Sequence, residues 1–388
     1  MLHTYHFPTT ILFGVGALEA LPDRLRSKPP APVLLVTDRG LVEAGLCARV
    51  EAVIEQAGRD VVRFDAVHPN PVEADVVAGA ARYREAGCAE IVALGGGSPM
   101  DAAKVIGVLA THDGALLDFD ALRGGDARIV RPLPPLHAIP TTAGTGSEVG
   151  RSAVVVAAAT GRKTIVFHPR LMPATAVLDP TLTAGLPPHL TAATGFDALT
   201  HAVEAYLARG HHPMADAIAL GAVELVARHL PVAVAHGDDL DARGGMLVAA
   251  TMGATAFQKG LGAVHALAHP LSNHYGTHHG LANAVLLPGV LAWQLEHRRA
   301  AFSDDLLRRY ERLARIWEPH ARAEDLPGIL ARFRADLGLA GRLAAAGVQP
   351  EDVPQLAAEA YGDPCRPENP IDLGRDDLAA IYRAVLAA

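Results

Sequence analysis

The chain has 388 residues, 50% of them hydrophobic and 20% charged, with a formal net charge of -8; this suits a globular fold too large for one core, so two domains are expected. The charge is spread without acidic or basic runs, which disfavours a nucleic-acid or membrane surface as partner and favours small substrates. Cys47, Cys88 and Cys365 are too few and too scattered for a disulfide framework and fit a reducing cytoplasm, and the opening Met1-Leu-His-Thr-Tyr-His-Phe7 lacks a secretory signal pattern.

In chain order, Pro32-Val-Leu-Leu-Val-Thr-Asp38 reads as a buried strand of a covered parallel sheet. A carboxylate at the end of such a strand accepts hydrogen bonds from an adenosine ribose and repels a 2′-phosphate, so Asp38 favours NAD over NADP. Its alternative role is to cap the helix that begins near Leu41. Helical patterns follow at Leu41 to Gln56 and Ala74 to Ala86, and the strand Glu90-Ile-Val-Ala-Leu94 runs into Gly95-Gly-Gly-Ser98. There Ser98 is expected to cap a helix, with Pro99 in its first turn and Asp101 completing a capping box. The glycines leave backbone N–H groups open to a diphosphate at the helix N-terminus. An ordinary tight strand-to-helix turn accounts for the same residues. A further strand, Leu136 to Ile139, leads into Pro140-Thr-Thr-Ala-Gly-Thr-Gly-Ser147. The alternation predicts an open α/β sheet with ligands at the carboxyl ends of its strands.

After Asp179 the texture changes. Pro and Gly punctuate Leu178 to Pro188, and from Thr191 apolar residues recur at helical spacing almost to the end. The longest apolar stretch identified, Met246 to Phe257, is too short to span a bilayer and reads as a buried helix. The expected organisation is therefore an α/β, Rossmann-like dinucleotide-binding domain over residues 1–182 and an all-α metal-binding domain over 183–388.

The helical half holds the residues with the sharpest chemistry. Asp197 and His201 stand four apart, as do His265 and His269, so each pair shares one helix face, and His279 follows shortly after. Imidazoles with one carboxylate suit ferrous iron or zinc, and an open coordination position can polarise a substrate oxygen. Among 19 histidines some helical pairs arise by chance. Spacing alone does not choose the ligands among His265, His269, His274, His278 and His279.

Several segments together resemble the iron-containing (group III) alcohol dehydrogenase family. They are Gly95-Gly-Gly-Ser-Pro-Met-Asp-Ala-Ala-Lys104, Pro140-Thr-Thr-Ala-Gly-Thr-Gly-Ser-Glu-Val149, Gly195-Phe-Asp-Ala-Leu-Thr-His-Ala-Val-Glu-Ala-Tyr206, His265-Ala-Leu-Ala-His-Pro-Leu271 and His279-Gly-Leu-Ala-Asn-Ala284, in the family's order. Phe13-Gly-Val-Gly-Ala17 and Asn369-Pro370 extend the similarity to essentially the whole chain. The resemblance implies a dehydroquinate synthase-like architecture with the active site between the domains. It implies metal ligands at Asp197, His201, His265 and His279, and a proton-transfer role for His269. It also implies NAD contacts at Asp38, Asn70, Gly96, Gly97, Ser98, Thr141, Thr142, Val149 and Lys163, and a homodimer.

The activity so implied is hydride transfer between NAD(H) and a primary alcohol or aldehyde. The cation steadies charge on the oxygen, and His269 relays the proton. Ferrous iron is favoured by the resemblance, although the same donor set accepts zinc. Arg151 can pair with a substrate carboxylate, which points to ω-hydroxy acids and their semialdehydes; a bridge to Glu148 or a place on the surface is the preferred alternative. Maleylacetate reductases and glycerol dehydrogenases share the architecture and fit the motifs less well. A metal-binding protein without turnover would have no use for Asp38, Ser98 and Lys163.

Overall fold

The structure is a computed structural model that describes residues 7, 9–25, 30–339 and 347–387. The chain divides into two compact units: Thr4–Thr142 with Gly146–Gly185, and Leu186–Ala388, which also takes in Ala143–Thr145.

The first unit is built on strands β1 (Thr10–Phe13), β2 (Val33–Val36), β3 (Val61–Phe64), β4 (Glu90–Gly95), β5 (Leu136–Pro140) and β8 (Thr175–Leu178), joined in the order β1-β8-β5-β4-β2-β3. All the pairings in this sheet are parallel. Between β5 and β8 the chain forms an antiparallel ribbon of β6 (Ser152–Val156) and β7 (Lys163–Phe167). Helices α1 (Arg39–Glu43), α2 (Leu46–Gln56), α3 (Glu73–Glu85) and α4 (Gly97–Thr111) link the first strands.

The continuous apolar run of β2 follows from cover on both faces. Side chains alternate across the pleat. Leu34 and Val36 join Ile91 and Ala93 in a core that α3 and α4 help to close, while Val33 and Leu35 join Val92 and Leu94 in a core with α2. Each of those four β2 side chains is fully buried. From β2 the chain steps outward to β3, then returns to place β4 on the other side of β2. The winding therefore reverses between β2 and β4, and a ligand of an open α/β sheet sits at the carboxyl ends of the strands flanking such a reversal. Asp38 follows β2, and Gly96 to Ser98 follow β4.

The second unit is helical: α5 (Pro188–Leu207), α6 (Pro213–Ala235), α7 (Leu240–Ala256), α8 (Ala263–Tyr275), α9 (His279–His297), α10 (Asp304–Ala314), α11 (Leu326–Asp336), α12 (Val353–Tyr361) and α13 (Arg375–Ala387). One continuous core joins them, with Phe196, Leu267, Leu286, Tyr310 and Tyr382 in it. Helix α5 is buried almost all round from Thr191 to Leu207, the mark of a central helix. Helix α6 is long and apolar enough to cross a membrane by length and composition; Ala219, Val223, Val226 and Leu230 on it enter the core of this bundle. It is thus a longer apolar segment than Met246 to Phe257, which itself ends α7 and enters a 3-10 turn.

Candidate metal centre and dinucleotide site

Three helices of the second unit each contribute two polar side chains one turn apart. Helix α5 presents Asp197 and His201, α8 presents His265 and His269, and α9 presents His279 and Asn283. The helices approach closely where this matters. A Cβ on Gly280 would lie 2.1 Å from the carbonyl oxygen of Ala193, so only glycine lets the first turn of α9 rest on α5 a turn before Asp197.

On one carboxylate oxygen, Asp197 Oδ1, three imidazoles converge: His201 Nε2 at 3.9 Å, His265 Nε2 at 3.8 Å and His279 Nε2 at 3.7 Å. These separations are too long for hydrogen bonds. They suit donors that share an ion, because ligand atoms each roughly 2.0–2.2 Å from one cation stand roughly 3–4 Å apart. Asp197, His265 and His279 bring their donor atoms within 4.8 Å of one another. The Asn283 amide enters this cradle, 2.7 Å from Asp197 Oδ1 and 3.3 Å from both His265 Nε2 and His279 Nε2, while its Oδ1 is buried with no hydrogen-bond partner among the described residues.

Charge gives the same indication. Burial would raise the Asp197 carboxyl, yet His201, His279 and His265 around it, with the Asn283 amide, hold it down at about 2. Burial holds His201 down at about 4 against the pull of Asp197, so this imidazole is neutral at physiological pH. A buried carboxylate that faces three imidazoles calls for positive charge, which a bound cation or a protonated ring supplies. The residues present therefore fit a divalent ion with nitrogen and oxygen ligands.

Support for His265 comes from a residue that the sequence reading passed over. Glu204, two turns beyond Asp197 on α5, faces His265 Nδ1 at 2.5 Å and accepts the backbone N–H of Val264 at 2.7 Å. Asn369 Oδ1 accepts the N–H of Ala263 at 3.2 Å. Gly262 offers no side chain to the start of α8, so Glu204 and Asn369 satisfy its first donors from outside the helix. Holding Nδ1 leaves Nε2 of His265 as the ligand nitrogen. The signal was present: Glu204 lies seven residues beyond Asp197, on the same face.

The first unit assembles its residues around the ends of β2, β4 and β5. Asp38 is half-buried and takes up the capping alternative with one oxygen, Oδ1 accepting the N–H of Leu41 at 3.1 Å. Gly96 to Ser98 begin α4, and Thr141 N–H bonds back to the Gly95 carbonyl at 3.0 Å, which joins the turn after β5 to the turn after β4. Thr142 lies beside Gly96, where a Cβ would come within 3.2 Å of its hydroxyl oxygen. Asn70 is exposed, Val149 ends a short 3-10 turn, and Lys163 opens β7.

The capping expectation for Ser98 is corrected here. The helix starts two residues earlier, with Gly96 as its cap, and the Ser98 hydroxyl donates to the Pro69 carbonyl at 2.5 Å. Asp101 does not close a capping box. Its oxygens accept from the Ser147 hydroxyl at 2.7 Å and from Val154 N–H at 2.9 Å. Lys104, fully buried, donates to Ser147 Oγ at 2.7 Å and to the Ser152 carbonyl at 2.9 Å, and burial holds it at about 8 against the pull of Asp101 and Glu148. This buried network fastens α4 to the turn that carries Val149. Arg151 does not bridge to Glu148; its guanidinium lies over the Phe167 ring, 4.8 Å from the centroid.

Family models match both halves of the chain. The model of iron-containing alcohol dehydrogenases matches residues 8–180, and that of the C-terminal region of Fe-containing alcohol dehydrogenases matches residues 191–386. The chain belongs to the iron-containing alcohol dehydrogenase family. A 4-hydroxybutyrate dehydrogenase of Cupriavidus necator is 42% identical over 98% of each chain. A 1,3-propanediol dehydrogenase of Klebsiella pneumoniae is 39% identical over 98% of this chain and 97% of its own. A crystal structure of a 1,3-propanediol oxidoreductase superposes with a TM-score of 0.92 at 37% identity, covering 99% of this chain and 100% of that one. A sulfoacetaldehyde reductase from Bifidobacterium kashiwanohense, solved in complex with NAD+, gives 0.87 at 29% identity, covering 100% and 99%. As an iron-containing alcohol dehydrogenase family member, the chain is an oxidoreductase that interconverts alcohols and carbonyl compounds.

Proposed function

We propose that this chain holds ferrous iron through Asp197, His201, His265 and His279 and uses NAD to oxidise a primary alcohol, or to reduce the matching aldehyde. The observation that carries the proposal is the approach of three imidazole nitrogens to one ionised carboxylate oxygen at 3.7–3.9 Å. The bound cation supplies Lewis-acid polarisation of the substrate oxygen, and the nicotinamide accepts or delivers the hydride. Asp197 and the three imidazoles hold the ion, Glu204 fixes the ring of His265, and His269 exchanges the hydroxyl proton. Asp38, Asn70, Gly96, Gly97, Ser98, Thr141, Thr142, Val149 and Lys163 hold the dinucleotide. Zinc fits the same donors, and the availability of each ion decides between them. Three free cysteines are in keeping with the cytoplasm. A homodimer rests on family resemblance.

For substrate, we favour an ω-hydroxy acid and its semialdehyde. The 42% identity to a 4-hydroxybutyrate dehydrogenase supports this class, as does Arg151, which makes no ion pair among the described residues and retains a guanidinium able to grip a carboxylate. The test is a substrate panel on iron-loaded enzyme, followed by absorbance of reduced nicotinamide. Turnover should vanish on chelation and return with ferrous iron, and Arg151→Ala should lose about tenfold in kcat/KM for succinate semialdehyde while changing little with butanal. Full turnover after complete chelation contradicts the metal reading, and equal losses on both aldehydes contradict the role of Arg151.

A further inference from the structure

One turn along α8 from His265 lies a second cluster. His269 Nδ1 is 2.7 Å from Asp363 Oδ2, and the other carboxylate oxygen accepts the backbone N–H of Cys365 at 2.8 Å. The Asp363 side chain is only 11% exposed, against 29% for His269. Both of its oxygens are engaged, so it is a fixed acceptor rather than a mobile surface acid. The His269 ring also lies parallel to that of His279, with centroids 5.4 Å apart and planes 8° apart, and edge-on to His265 at 6.1 Å.

A neutral imidazole carries one N–H, and a carboxylate at Nδ1 draws it there, which leaves Nε2 with its lone pair. Among the described residues no hydrogen-bond partner occupies that nitrogen. We propose that Asp363 is a positioning residue for His269: it fixes the ring plane and the tautomer so that Nε2, and not Nδ1, takes the substrate's hydroxyl proton. The inference rests on the proposed role of His269 and deepens it. In alcohol oxidation the O–H proton passes to Nε2, the C–H hydrogen leaves with its electron pair to NAD+, and the products are the carbonyl compound, NADH and one proton held by the imidazole. Asp363 then faces the imidazolium and stabilises it, as an orienting carboxylate does for a general base. Without that carboxylate the ring divides between two tautomers and turns freely about its last torsion.

The experiment uses metal-loaded enzyme and reads the single-turnover rate of alcohol oxidation with bound metal per chain. Asp363→Ala should lower the rate about 10–100-fold with a smaller change in KM and unchanged metal content. Asp363→Asn, which keeps an acceptor oxygen in the same place, should recover part of the loss and provides the same comparison if the alanine variant does not fold. His269→Ala should lose at least as much, and the double variant no more than His269→Ala alone. Nitrogen-15 histidine spectra of zinc-loaded protein give a readout independent of turnover: His269 should be the Nδ1–H tautomer in the parent and a mixture in Asp363→Ala. A slow His269→Ala beside an Asp363→Ala with parental rate and parental spectrum overturns the positioning role and leaves the relay standing. A His269→Ala enzyme at the parental rate overturns the relay, and this inference with it. Losses that add in the double variant make Asp363 an independent structural residue and also overturn the inference.

Discussion

In the helical unit each proposed ligand atom belongs to a side chain set by one helical turn, Asp197 with His201, His265 with His269, His279 with Asn283. In the α/β unit the proposed contacts cluster where strands β2, β4 and β5 end, and several of them are glycines or short hydroxyl residues whose backbone does the work. Side chains can be deleted one at a time, whereas a turn is altered only through its shape. A substitution in the first region should therefore remove chemistry outright, and one in the second should weaken a fit.

The largest effect expected is at Asp197, the carboxylate that all three imidazoles face. Asp197→Ala should purify without its metal and turn over at least about a thousandfold more slowly, since Lewis-acid stabilisation is worth several kcal/mol. Metal analysis and nicotinamide absorbance check both, and a variant with stoichiometric metal and near-parental turnover would break the contrast. A smaller, graded effect belongs to Gly95, whose φ of +150° and a Cβ position 2.5 Å from Pro99 Cγ leave room only for hydrogen. Gly95→Ala should cost about 1–3 kcal/mol of stability and weaken NAD binding while its metal content stays parental, as denaturant titration and nucleotide binding will read.

The smallest effect sharpens the comparison through pH. Burial holds the Lys104 ammonium at about 8, below the 10.5 of an exposed lysine. Between those values the unfolded chain still binds a proton that the native chain has released. Unfolding free energy from this group therefore rises with pH across the window, by up to about 1.4 kcal/mol per unit. Denaturant midpoints at pH 8, 9 and 10 should climb more steeply, or fall less, in the parent than in Lys104→Met. Parallel curves would detach Lys104 from this behaviour.

The same contrast explains what the sequence made legible. Pairs four apart were readable because a helical turn is local, and the strand-then-glycine order around Leu94 located the α/β turn for the same reason. The start of α4 was misjudged because Ser98 and Asp101 looked like a local cap, whereas their partners, Pro69 and Ser147, come from other segments. Spacing could not choose among the later histidines; the structure brings His265 and His279 to Asp197, while His274 faces Glu359. Asp363 carried no signal, since 94 residues separate it from His269. Tertiary packing alone brings such residues together.

The four side chains around the cradle are not equally sheltered: Asp197, His201 and His265 are 4%, 7% and 2% exposed, and His279 is 30% exposed. An ion held there would meet its least sheltered ligand at His279, so its exchange should be governed at that doorway and not by the deep ligands. Tightening the protein's hold on such a cation, or slowing its theft by chelators, would then be a matter of reshaping the approach to position 279 while the inner donors stay untouched.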